Sequence, residues 1–366
     1  MKIKAAILRT ANTAFSIEDP ELDPPRAGEV LVRIRAVGVC HSDWHLVTGA
    51  TKHPMPVVAG HEGAGVIEAV GADVGDLQVG DHVILNWAPS CGRCFYCKHE
   101  KPNLCDTYTG PIWAGTMLDG TTRLRLGGET VYSYCGLAAF AERTVVPHQS
   151  CVKIRDDVAF DAAALVGCAV ATGVGAVMFT AQVKKGESVA VIGCGGVGMS
   201  SILGAVLCGA KTIIAIDVNE KKLQMARQIG ATHCVPGSSD VAAQVRSLTD
   251  GRGADHAIEA VGIPALQELA LNLARPGGTV ILAGLSPMGS STNLPGAIIV
   301  RQEKTIKGSY YGGVNAPRDF PMLIDLYAKG QLKLDQLISK RYRLEQINEA
   351  FADMLSGEIT RGVIVL

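Results

Sequence analysis

The sequence predicts an α/β protein with two domains, one a doubly wound parallel sheet and the other rich in β-strands. Three observations support this prediction. The chain has 366 residues, which is enough for two domains of ordinary size. Strand-like segments bounded by Pro and Gly turns dominate residues 1–90. From about residue 170, buried-strand patterns alternate with helix patterns, as in a parallel sheet covered on both faces.

Composition and charge exclude several other classes of protein. Hydrophobic residues make up 48% of the chain and charged residues 19%, a balance that favours packed cores over disorder. The net charge of −1 gives no general attraction to nucleic acid or to an anionic membrane. The sequence shows no secretory leader and no uncharged apolar run of transmembrane length. We therefore expect a cytoplasmic protein with neither nucleic acid nor membrane as a partner.

The strand predictions for the first domain rest on short apolar runs, and those for the second on longer alternation with helices. The predicted strands are residues 5–8, 29–36, 63–71, 81–85, 188–192, 212–217, 254–260, 279–283 and 362–366. The predicted helices are residues 171–181, 197–208 and 220–228. The polar stretch 107–136 has little periodicity, so we expect a long functional loop there.

A glycine-rich segment in the second domain predicts dinucleotide binding. It follows a predicted strand, opens a predicted helix, and consists of Gly193, Cys194, Gly195, Gly196, Val197 and Gly198. Gly193 allows the tight turn, Gly195 lets the backbone approach a pyrophosphate, and Gly198 lets the helix pack close to the strand. Asp217, at the end of the next strand, can accept hydrogen bonds from ribose hydroxyls and would repel a 2′-phosphate. We therefore predict a Rossmann domain that binds NAD.

Four of the eleven cysteines lie within fifteen residues: Cys91, Cys94, Cys97 and Cys105. In a reducing compartment such a cluster favours a metal over disulfides. Four thiolates make a closed, structural zinc site, with no open position for substrate. An iron–sulfur cluster uses the same ligands at overlapping spacings. We rank zinc first because the sequence shows no electron-transfer context.

Three further segments hold metal-ligand residue types, and spacing alone does not show that they meet. They contain Cys40, His61 with Glu62, and Cys168. Together with the four-cysteine cluster and the glycine-rich loop, and in the same order, these segments resemble motifs of the zinc-dependent alcohol dehydrogenases. That family belongs to the medium-chain dehydrogenase/reductase superfamily. The matching motifs are residues 38–43, 60–65, 91–105, 167–173 and 193–198, and the resemblance covers essentially the whole chain.

The resemblance implies two domains, two Zn²⁺ ions per chain and NAD. Residues 1–169 and 311–366 would form a GroES-like catalytic domain with the structural zinc lobe at about 86–106, and residues 170–310 the Rossmann domain. Cys40, His61 and Cys168 would bind the catalytic zinc, with Glu62 just behind it as an occasional ligand. That zinc would lower the pKa of a bound alcohol and so promote hydride release to NAD.

The resemblance also implies roles for residues around the zinc and the cofactor. Ser42 and His45 would form a proton relay through a ribose hydroxyl, and Asp43 would hold the His61 ring. The cofactor contacts it implies are Thr172 and Val197 at the nicotinamide, His41 and Arg361 at the pyrophosphate, and Lys222 at the adenosine ribose.

The long segment 107–136 resembles the plant- and animal-type branch, whose members are typically dimeric. A homodimer is therefore expected, with a homotetramer as the alternative, and residues 296–308 would supply the edge strand that pairs across the two-fold axis. The expected substrate is a primary alcohol or aldehyde with an apolar or aromatic side chain. Its pocket would be lined by Trp44, Ile112, Trp113 and Met117.

Three alternatives stay open at this point. Glutathione-dependent formaldehyde dehydrogenases belong to the same branch, but residues 106–109 offer no Arg for an anionic thiol substrate. Quinone or enoyl reductases share the scaffold, but they generally lack the residues equivalent to Cys40, His61 and Cys168. A redox sensor that binds a nucleotide and one structural zinc would not need Ser42 and His45. Metal analysis separates the alcohol dehydrogenase, the reductase and the sensor, with two, no and one zinc ion per chain.

Overall fold

The computed structural model describes residues 1–238 and 240–366, which form two compact units. The first unit comprises Met1–Cys168, Asn315–Gly330 and Ile338–Leu366, and the second comprises Ala169–Val314 and Gln331–Leu337. The predicted boundary after residue 169 lies one residue from the observed one. The segment Gln331–Leu337, which the sequence analysis placed in the first domain, groups instead with the second unit. It includes a short 3-10 helix whose leucines are fully buried, a feature with no signal in local sequence.

The bounds of the secondary structure are as follows. The strands are β1 Ala5–Leu8, β2 Ser16–Glu18, β3 Glu21–Leu22, β4 Glu29–Gly38, β5 Val57–Val58, β6 Gly63–Val70, β7 His82–Leu85, β8 Leu124–Leu126, β9 Glu129–Ser133, β10 Arg143–Pro147, β11 Cys151–Lys153, β12 Ser188–Ile192, β13 Thr212–Asp217, β14 His233–Pro236, β15 Ala254–Glu259, β16 Ala274–Leu282, β17 Thr305–Gly308, β18 Ile338–Tyr342 and β19 Arg361–Val365. The α-helices are α1 His41–Val47, α2 Phe95–Lys98, α3 Asp106–Ala114, α4 Phe160–Leu165, α5 Ala171–Gly175, α6 Gly196–Leu207, α7 Glu220–Gln228, α8 Val241–Ser247, α9 Pro264–Leu273, α10 Gly296–Arg301, α11 Ala316–Ala328 and α12 Ile347–Ser356. The π-helical turns are Val166–Val170 and Ala176–Ala181, and the 3-10 helices are Pro102–Leu104, Tyr134–Gly136, His148–Ser150, Tyr311–Gly313, Leu334–Leu337 and Leu344–Gln346.

The first unit is built on two sheets and confirms the predicted β-rich domain. In one sheet the strand order is β11-β7-β6-β4-β19-β18, and β10 also pairs with β4. The long strand β4 runs antiparallel to β6, β10 and β19. Its apolar side chains, including Val30, Val32 and Ile34, are buried. In the other sheet the order is β2-β1-β5-β9-β8-β3. Because β4 and β6 pair, the segment that follows β4 starts next to the end of the segment that precedes β6.

The second unit is a parallel sheet of six strands in the order β14-β13-β12-β15-β16-β17. In chain order this arrangement is 3-2-1-4-5-6, the strand order of a doubly wound Rossmann sheet. Its core contains small and β-branched side chains of the central strands, among them Ala190, Ile214 and Val280, packed with Leu271 of α9. The predicted Rossmann fold is confirmed. Its carboxyl edge carries the glycine-rich loop, as expected for a nucleotide site.

One prediction about local structure was wrong, and another was correct only in part. Residues 107–136 are not a long irregular loop, because most of them lie in α3, β8, β9 and a 3-10 helix. The hairpin between β8 and β9 closes through Gly127 and Gly128, both with positive φ, as a two-residue turn requires. Residues 296–308 are also only partly strand. Their first half is the helix α10, and the edge strand β17 begins at Thr305.

One helical stretch, Phe160–Ala181, is long and apolar enough to cross a membrane by length and composition alone. In its most apolar window, 89% of the residues are buried within the protein. Buried core helices pass the same test, because they too are apolar on every side. We therefore assign this stretch to the protein interior.

Candidate active site and metal centres

Cys40, His61 and Cys168 come together in the first unit. Cys40 immediately precedes α1 at the end of β4, His61 lies between β5 and β6, and Cys168 lies in the first π-helical turn. One ligand atom from each lies within 4.8 Å of the other two, and all three side chains are buried. Cys168 was expected just before a helix, but it lies inside one. The widened π turn is a feature found often at functional sites.

Asp43 of α1 orients the His61 ring. Its Oδ1 accepts a hydrogen bond from the Gly60 amide at 2.9 Å and lies 3.1 Å from His61 Nδ1. A carboxylate can only accept hydrogen bonds, so Nδ1 carries the ring proton. When the ring is neutral, its Nε2 atom therefore presents a lone pair, which is what a metal ligand needs. Asp43 is fully buried, which strengthens this interaction.

The titration of the three residues reflects their proximity. The hydrogen bond from the Cys168 thiol, together with the positive charges of His61 and Arg361, lowers the pKa of Cys40 well below its usual value. The same pairing and burial raise the pKa of Cys168. Burial alone would lower the pKa of His61, but Asp43 and Cys40 raise it overall. Two sulfurs and one imidazole nitrogen form a donor set that fits a zinc ion with one open position, and a dication would favour both thiolates.

Glu62 and Arg361 form a buried ion pair beside this cluster. Glu62 is fully buried, and the Arg361 side chain is 5% exposed. Gly38 makes room for them, because a Cβ there would collide with the Glu62 carboxylate. The guanidinium neutralises the buried Glu62 carboxylate, which needs a cation. The contact of Arg361 with the cofactor pyrophosphate stays a prediction.

Helix α1 also carries Ser42 and His45, both half-buried, and the exposed His41. Ser42 and His45 are three residues apart, a spacing that places two side chains on the same helix face. Sequence analysis did not predict α1 as a helix. Its seven residues are too few to show a clear helical period.

The lining of the substrate pocket stays a prediction. Met117 packs in a hydrophobic core cluster of the first unit. The Trp44 ring packs against Phe351 with centroids 5.9 Å apart. Ile112 is buried in α3, and Trp113 beside it is 37% exposed. The four side chains therefore have different surroundings, because α3 and the following turn are ordered elements rather than one flexible loop.

Sequence analysis missed Tyr134. Its hydroxyl donates to the Ser42 carbonyl at 3.2 Å, and its ring meets the His61 ring edge-on, with centroids 5.7 Å apart. No sequence signal marked this residue. It follows β9 in the stretch that was expected to be a loop.

The four cysteines of the lobe also converge. The Sγ atoms of Cys91, Cys94, Cys97 and Cys105 all lie within 4.8 Å of one another. Backbone amides point at the sulfurs: Cys94 N lies 3.3 Å from Cys91 Sγ, and Cys97 N lies 3.5 Å from Cys94 Sγ. A hydrogen bond from Thr107 is the main cause that lowers the pKa of Cys91 to about 6, whereas burial raises that of Cys97 to about 12. The arrangement fits one closed four-thiolate metal site.

The glycine-rich loop of the second unit has the geometry that a dinucleotide needs. Gly193 has a φ of 89°, and a Cβ on Gly198 would collide with the Gly193 carbonyl. Gly195 has open space around its Cα, and α6 begins at the next residue. The Asp217 carboxylate accepts hydrogen bonds from the Cys194 amide at 2.7 Å and the Asn219 amide at 2.9 Å. Asp217 therefore also fixes the loop to the end of β13.

The other predicted cofactor residues of the second unit lie in its helices. Thr172 is buried in α5, and the following Gly173 packs so closely on α6 that a Cβ would meet the Val197 carbonyl. Lys222 lies in the first turn of α7, where the Asn219 side chain caps the helix. Gly196 and Val197 form the first turn of α6, whose free amides give a positive N-terminus.

A groove of about 650 Å³ lies at the opposite, amino end of the parallel sheet. Its charged side chains are already paired: Arg275 donates to Asp255 at 2.6 Å, and Arg252 donates to Asp250 at 2.9 Å. Ligands of doubly wound folds bind at the carboxyl edge. We therefore place the functional site of this unit at the glycine-rich loop and not at the groove.

Comparisons with known proteins show which family the chain belongs to. The model of the alcohol dehydrogenase GroES-like domain matches residues 26–156, and that of the zinc-binding dehydrogenase matches residues 196–329. The NDMA-dependent alcohol dehydrogenase of Amycolatopsis methanolica is 41% identical over 100% of this chain and 99% of its own length. The solved alcohol dehydrogenase zinc-binding domain protein of Burkholderia ambifaria has a TM-score of 0.96, at 34% identity, over 100% of this chain and 99% of that one. The benzyl alcohol dehydrogenase of Acinetobacter calcoaceticus has a TM-score of 0.95, at 31% identity, with the same coverage.

This chain thus belongs to the zinc-binding alcohol dehydrogenase family, and its activity is the oxidation of alcohols. The family, fold class and enzyme class predicted from the sequence are confirmed. Because the protein is an enzyme of this class, the alternative of a redox sensor without catalytic activity is wrong.

Proposed function

We propose that the protein oxidises primary alcohols with apolar or aromatic side chains to aldehydes, and catalyses the reverse reaction, with NAD and two zinc ions per chain. The observation that carries the proposal is the convergence of Cys40, His61 and Cys168 within 4.8 Å of one another. This donor set occurs where α1, with Ser42 and His45, begins. It supports a catalytic zinc with an open position, rather than a zinc-free reductase.

Three buried residues prepare the catalytic site. Asp43 keeps His61 in the tautomer that offers Nε2, and it holds the Gly60 amide at the same time. Arg361 neutralises Glu62, which therefore stays paired beside the ligands and serves at most as an exchanging ligand. Zinc bound by Cys40, His61 and Cys168 supplies an electrophile that lowers the pKa of an alcohol. The buried surroundings exclude water from the reacting groups.

The proton leaves through α1. The Ser42 hydroxyl accepts it within the buried region, and His45, one helical turn further on, passes it to solvent. Both side chains are half-buried, as a path from interior to surface requires. A positioned acid–base group contributes roughly 10²–10⁴-fold in rate.

NAD binds at the carboxyl edge of the parallel sheet. The glycine-rich loop and the N-terminus of α6 receive the pyrophosphate. A carboxylate offers about four acceptor positions, so Asp217 can take ribose hydroxyls in addition to its two amides. We assign Thr172 and Val197 to the nicotinamide, Lys222 to the adenosine ribose, and His41 and Arg361 to the pyrophosphate. NAD accepts the hydride when bound.

The second zinc is bound by the four-cysteine lobe and takes no part in the oxidation of the alcohol. Cys91, Cys94, Cys97 and Cys105 fill all four positions of a tetrahedral ion. The amides that point at the sulfurs stabilise the thiolates. Its role is to order residues 91–105.

We also propose a homodimer in the cytoplasm. Strand β17 lies at the edge of the parallel sheet. Close to it in sequence, Leu294, Ile298, Val300 and Tyr310 expose apolar side chains. Pairing of β17 with the same strand of a second copy would bury an unpaired edge and these side chains under two-fold symmetry. A sedimentation measurement that finds a monomer would contradict this assignment.

The experiment that tests the catalytic assignment combines metal content with steady-state rate. Cys40→Ser, His61→Gln and Cys168→Ser should each abolish alcohol oxidation and lower the zinc content from two towards one per chain. Ser42→Ala should keep both zinc ions but lose turnover. His45→Gln should be milder, and its defect should shrink as buffer concentration rises, because buffer replaces the last relay member. Two zinc ions and normal turnover in Cys168→Ser would show that the proposed site is wrong.

The cofactor and substrate are tested with a panel of primary alcohols. We expect benzyl alcohol to reduce added NAD, with no requirement for glutathione. NADP should be a poor acceptor. The similar enzyme from Amycolatopsis methanolica is named for NDMA, so NDMA is included as an acceptor. Turnover that needs NDMA and ignores added NAD would contradict NAD as an exchangeable substrate, and an absolute glutathione requirement would favour the hydroxymethyl-thiol alternative.

A further inference from the structure

Tyr134 touches two residues with different assigned roles. It is 2% exposed, in the 3-10 helix that follows β9. Its hydroxyl lies 3.2 Å from the Ser42 carbonyl oxygen, and its ring stands at 87° to the His61 ring. One side chain thus joins the first turn of α1 to the metal-ligand cluster.

The Tyr134 hydroxyl can act only as the donor in its hydrogen bond to Ser42. A carbonyl oxygen only accepts, so Tyr134 must donate its proton to Ser42. A phenylalanine would fill the same space without the need for a buried polar partner. The hydrogen bond therefore holds the backbone of Ser42, and with it the direction in which the Ser42 hydroxyl leaves α1.

The ring also contacts a second imidazole. The His53 ring meets Tyr134 at 73°, with centroids 5.6 Å apart. His53 itself is held by the Pro54 carbonyl, 2.9 Å from Nδ1. Gly115 packs against His53, since a Cβ there would lie only 2.6 Å from His53 Cε1. Tyr134 thus makes edge-to-face contacts with two imidazoles.

We propose that Tyr134 is a positioning residue that couples the proton relay to the metal site: its hydroxyl fixes Ser42 and its ring fixes the plane of His61. This inference rests on the roles proposed above for Ser42 and His61. The two parts of the side chain have separable functions. The hydroxyl acts on proton transfer, and the ring acts on the retention of zinc.

Two substitutions separate these functions. Tyr134→Phe keeps the ring and removes one hydrogen bond, so kcat should fall about two- to tenfold with unchanged zinc content and an unchanged KM for the alcohol. Its solvent deuterium isotope effect on kcat should rise, because proton transfer then limits the rate. Tyr134→Leu should in addition lose the catalytic zinc faster to a chelator, while the zinc of the lobe is retained.

Tyr342→Phe is the matched control. Tyr342 is also 2% exposed, and its hydroxyl donates to Asp353 at 2.7 Å, in the same unit but outside the site. This variant should change neither the isotope effect nor zinc retention. If Tyr134→Phe lowers only thermal stability, as we expect of Tyr342→Phe, Tyr134 is merely structural and the inference is wrong.

Ser42→Ala, measured alongside, distinguishes the inference from the function on which it rests. If Ser42→Ala is inactive while Tyr134→Phe behaves like the wild type, the proposed role of Tyr134 is wrong and the relay stands. Full turnover in Ser42→Ala overturns the relay, and with it the coupling. Reduced turnover in both, with an isotope effect that rises in Tyr134→Phe but not in Tyr342→Phe, supports the inference.

Discussion

Asp43→Asn should weaken zinc binding at the catalytic site without unfolding the protein. The amide keeps the shape of the carboxylate and can still accept from the Gly60 amide, so the local fold is retained. The bond from His61 Nδ1, 3.1 Å long, changes from charge-assisted to neutral. Such bonds contribute about 1.5–3 and 0.5–1.5 kcal/mol respectively, so the loss is about 1–1.5 kcal/mol, or roughly five- to tenfold in affinity. The loss of a negative charge near the zinc dication weakens zinc binding further. The total loss of affinity then falls within the roughly 10–100-fold range of comparable substitutions.

The assay is a zinc titration in competition with a chelating indicator, and it resolves two ions per chain. Only the weaker site should shift in Asp43→Asn, and turnover at limiting zinc should fall in parallel. Asp81→Asn is the matched control. Asp81 is also buried in the first unit, where it accepts from the Gln78 amide at 3.0 Å and pairs with Lys153. Equal zinc affinity in the wild type, Asp43→Asn and Asp81→Asn would refute the argument that Asp43 tunes His61.

Four further substitutions test other parts of the molecule. Cys97→Ser should lower the thermal midpoint or solubility, since a closed zinc site contributes to folding, and a fully stable variant that lacks turnover would contradict the structural role. Asp217→Ser should narrow the preference for NAD over NADP in kcat/KM, and a wild type that already prefers NADP would refute the role of this acid. Gly193→Ala should weaken NADH binding, measured by fluorescence, about tenfold or more, because φ is 89° and the new Cβ meets the loop after β15. Glu29→Gln should destabilise the first unit by about 3 kcal/mol with kcat unchanged, because Arg123, at 2% exposure, loses its main carboxylate partner; an unchanged thermal midpoint would argue against that pair.

The second unit was the easier to predict from sequence. The bounds of β12, β13 and α7 agree with the prediction to the residue, because each is bounded by a turn residue or a cap and has one unambiguous pattern. The glycine-rich loop was also readable, since its function depends on local backbone conformation. Strand, loop and helix follow one another directly there, so no long-range contact is needed to infer the site.

The first unit was harder because its site is assembled from distant segments. Nothing local indicates that Cys40, His61 and Cys168 meet, and only the resemblance to a family suggested it. The ion pair between Arg361 and Glu62 was not predicted for a related reason, because the two residues are nearly 300 positions apart in sequence. The hairpin at residues 127–128 was within reach, since two glycines between apolar runs are a hairpin signal.

The two cysteine-containing sites differ greatly in the length of chain that each must close. The lobe spans residues 91–105, whereas the other cluster spans residues 40–168. In an unfolded chain, closure of the longer loop costs about 2 kcal/mol more in entropy than closure of the shorter one. The lobe can therefore capture its ion while most of the polypeptide is still disordered. The site at Cys40, His61 and Cys168 waits until the sheets of the first unit have formed. A nascent chain short of zinc would then mature into a folded enzyme that carries its structural ion and gains activity only when a later supply of zinc arrives.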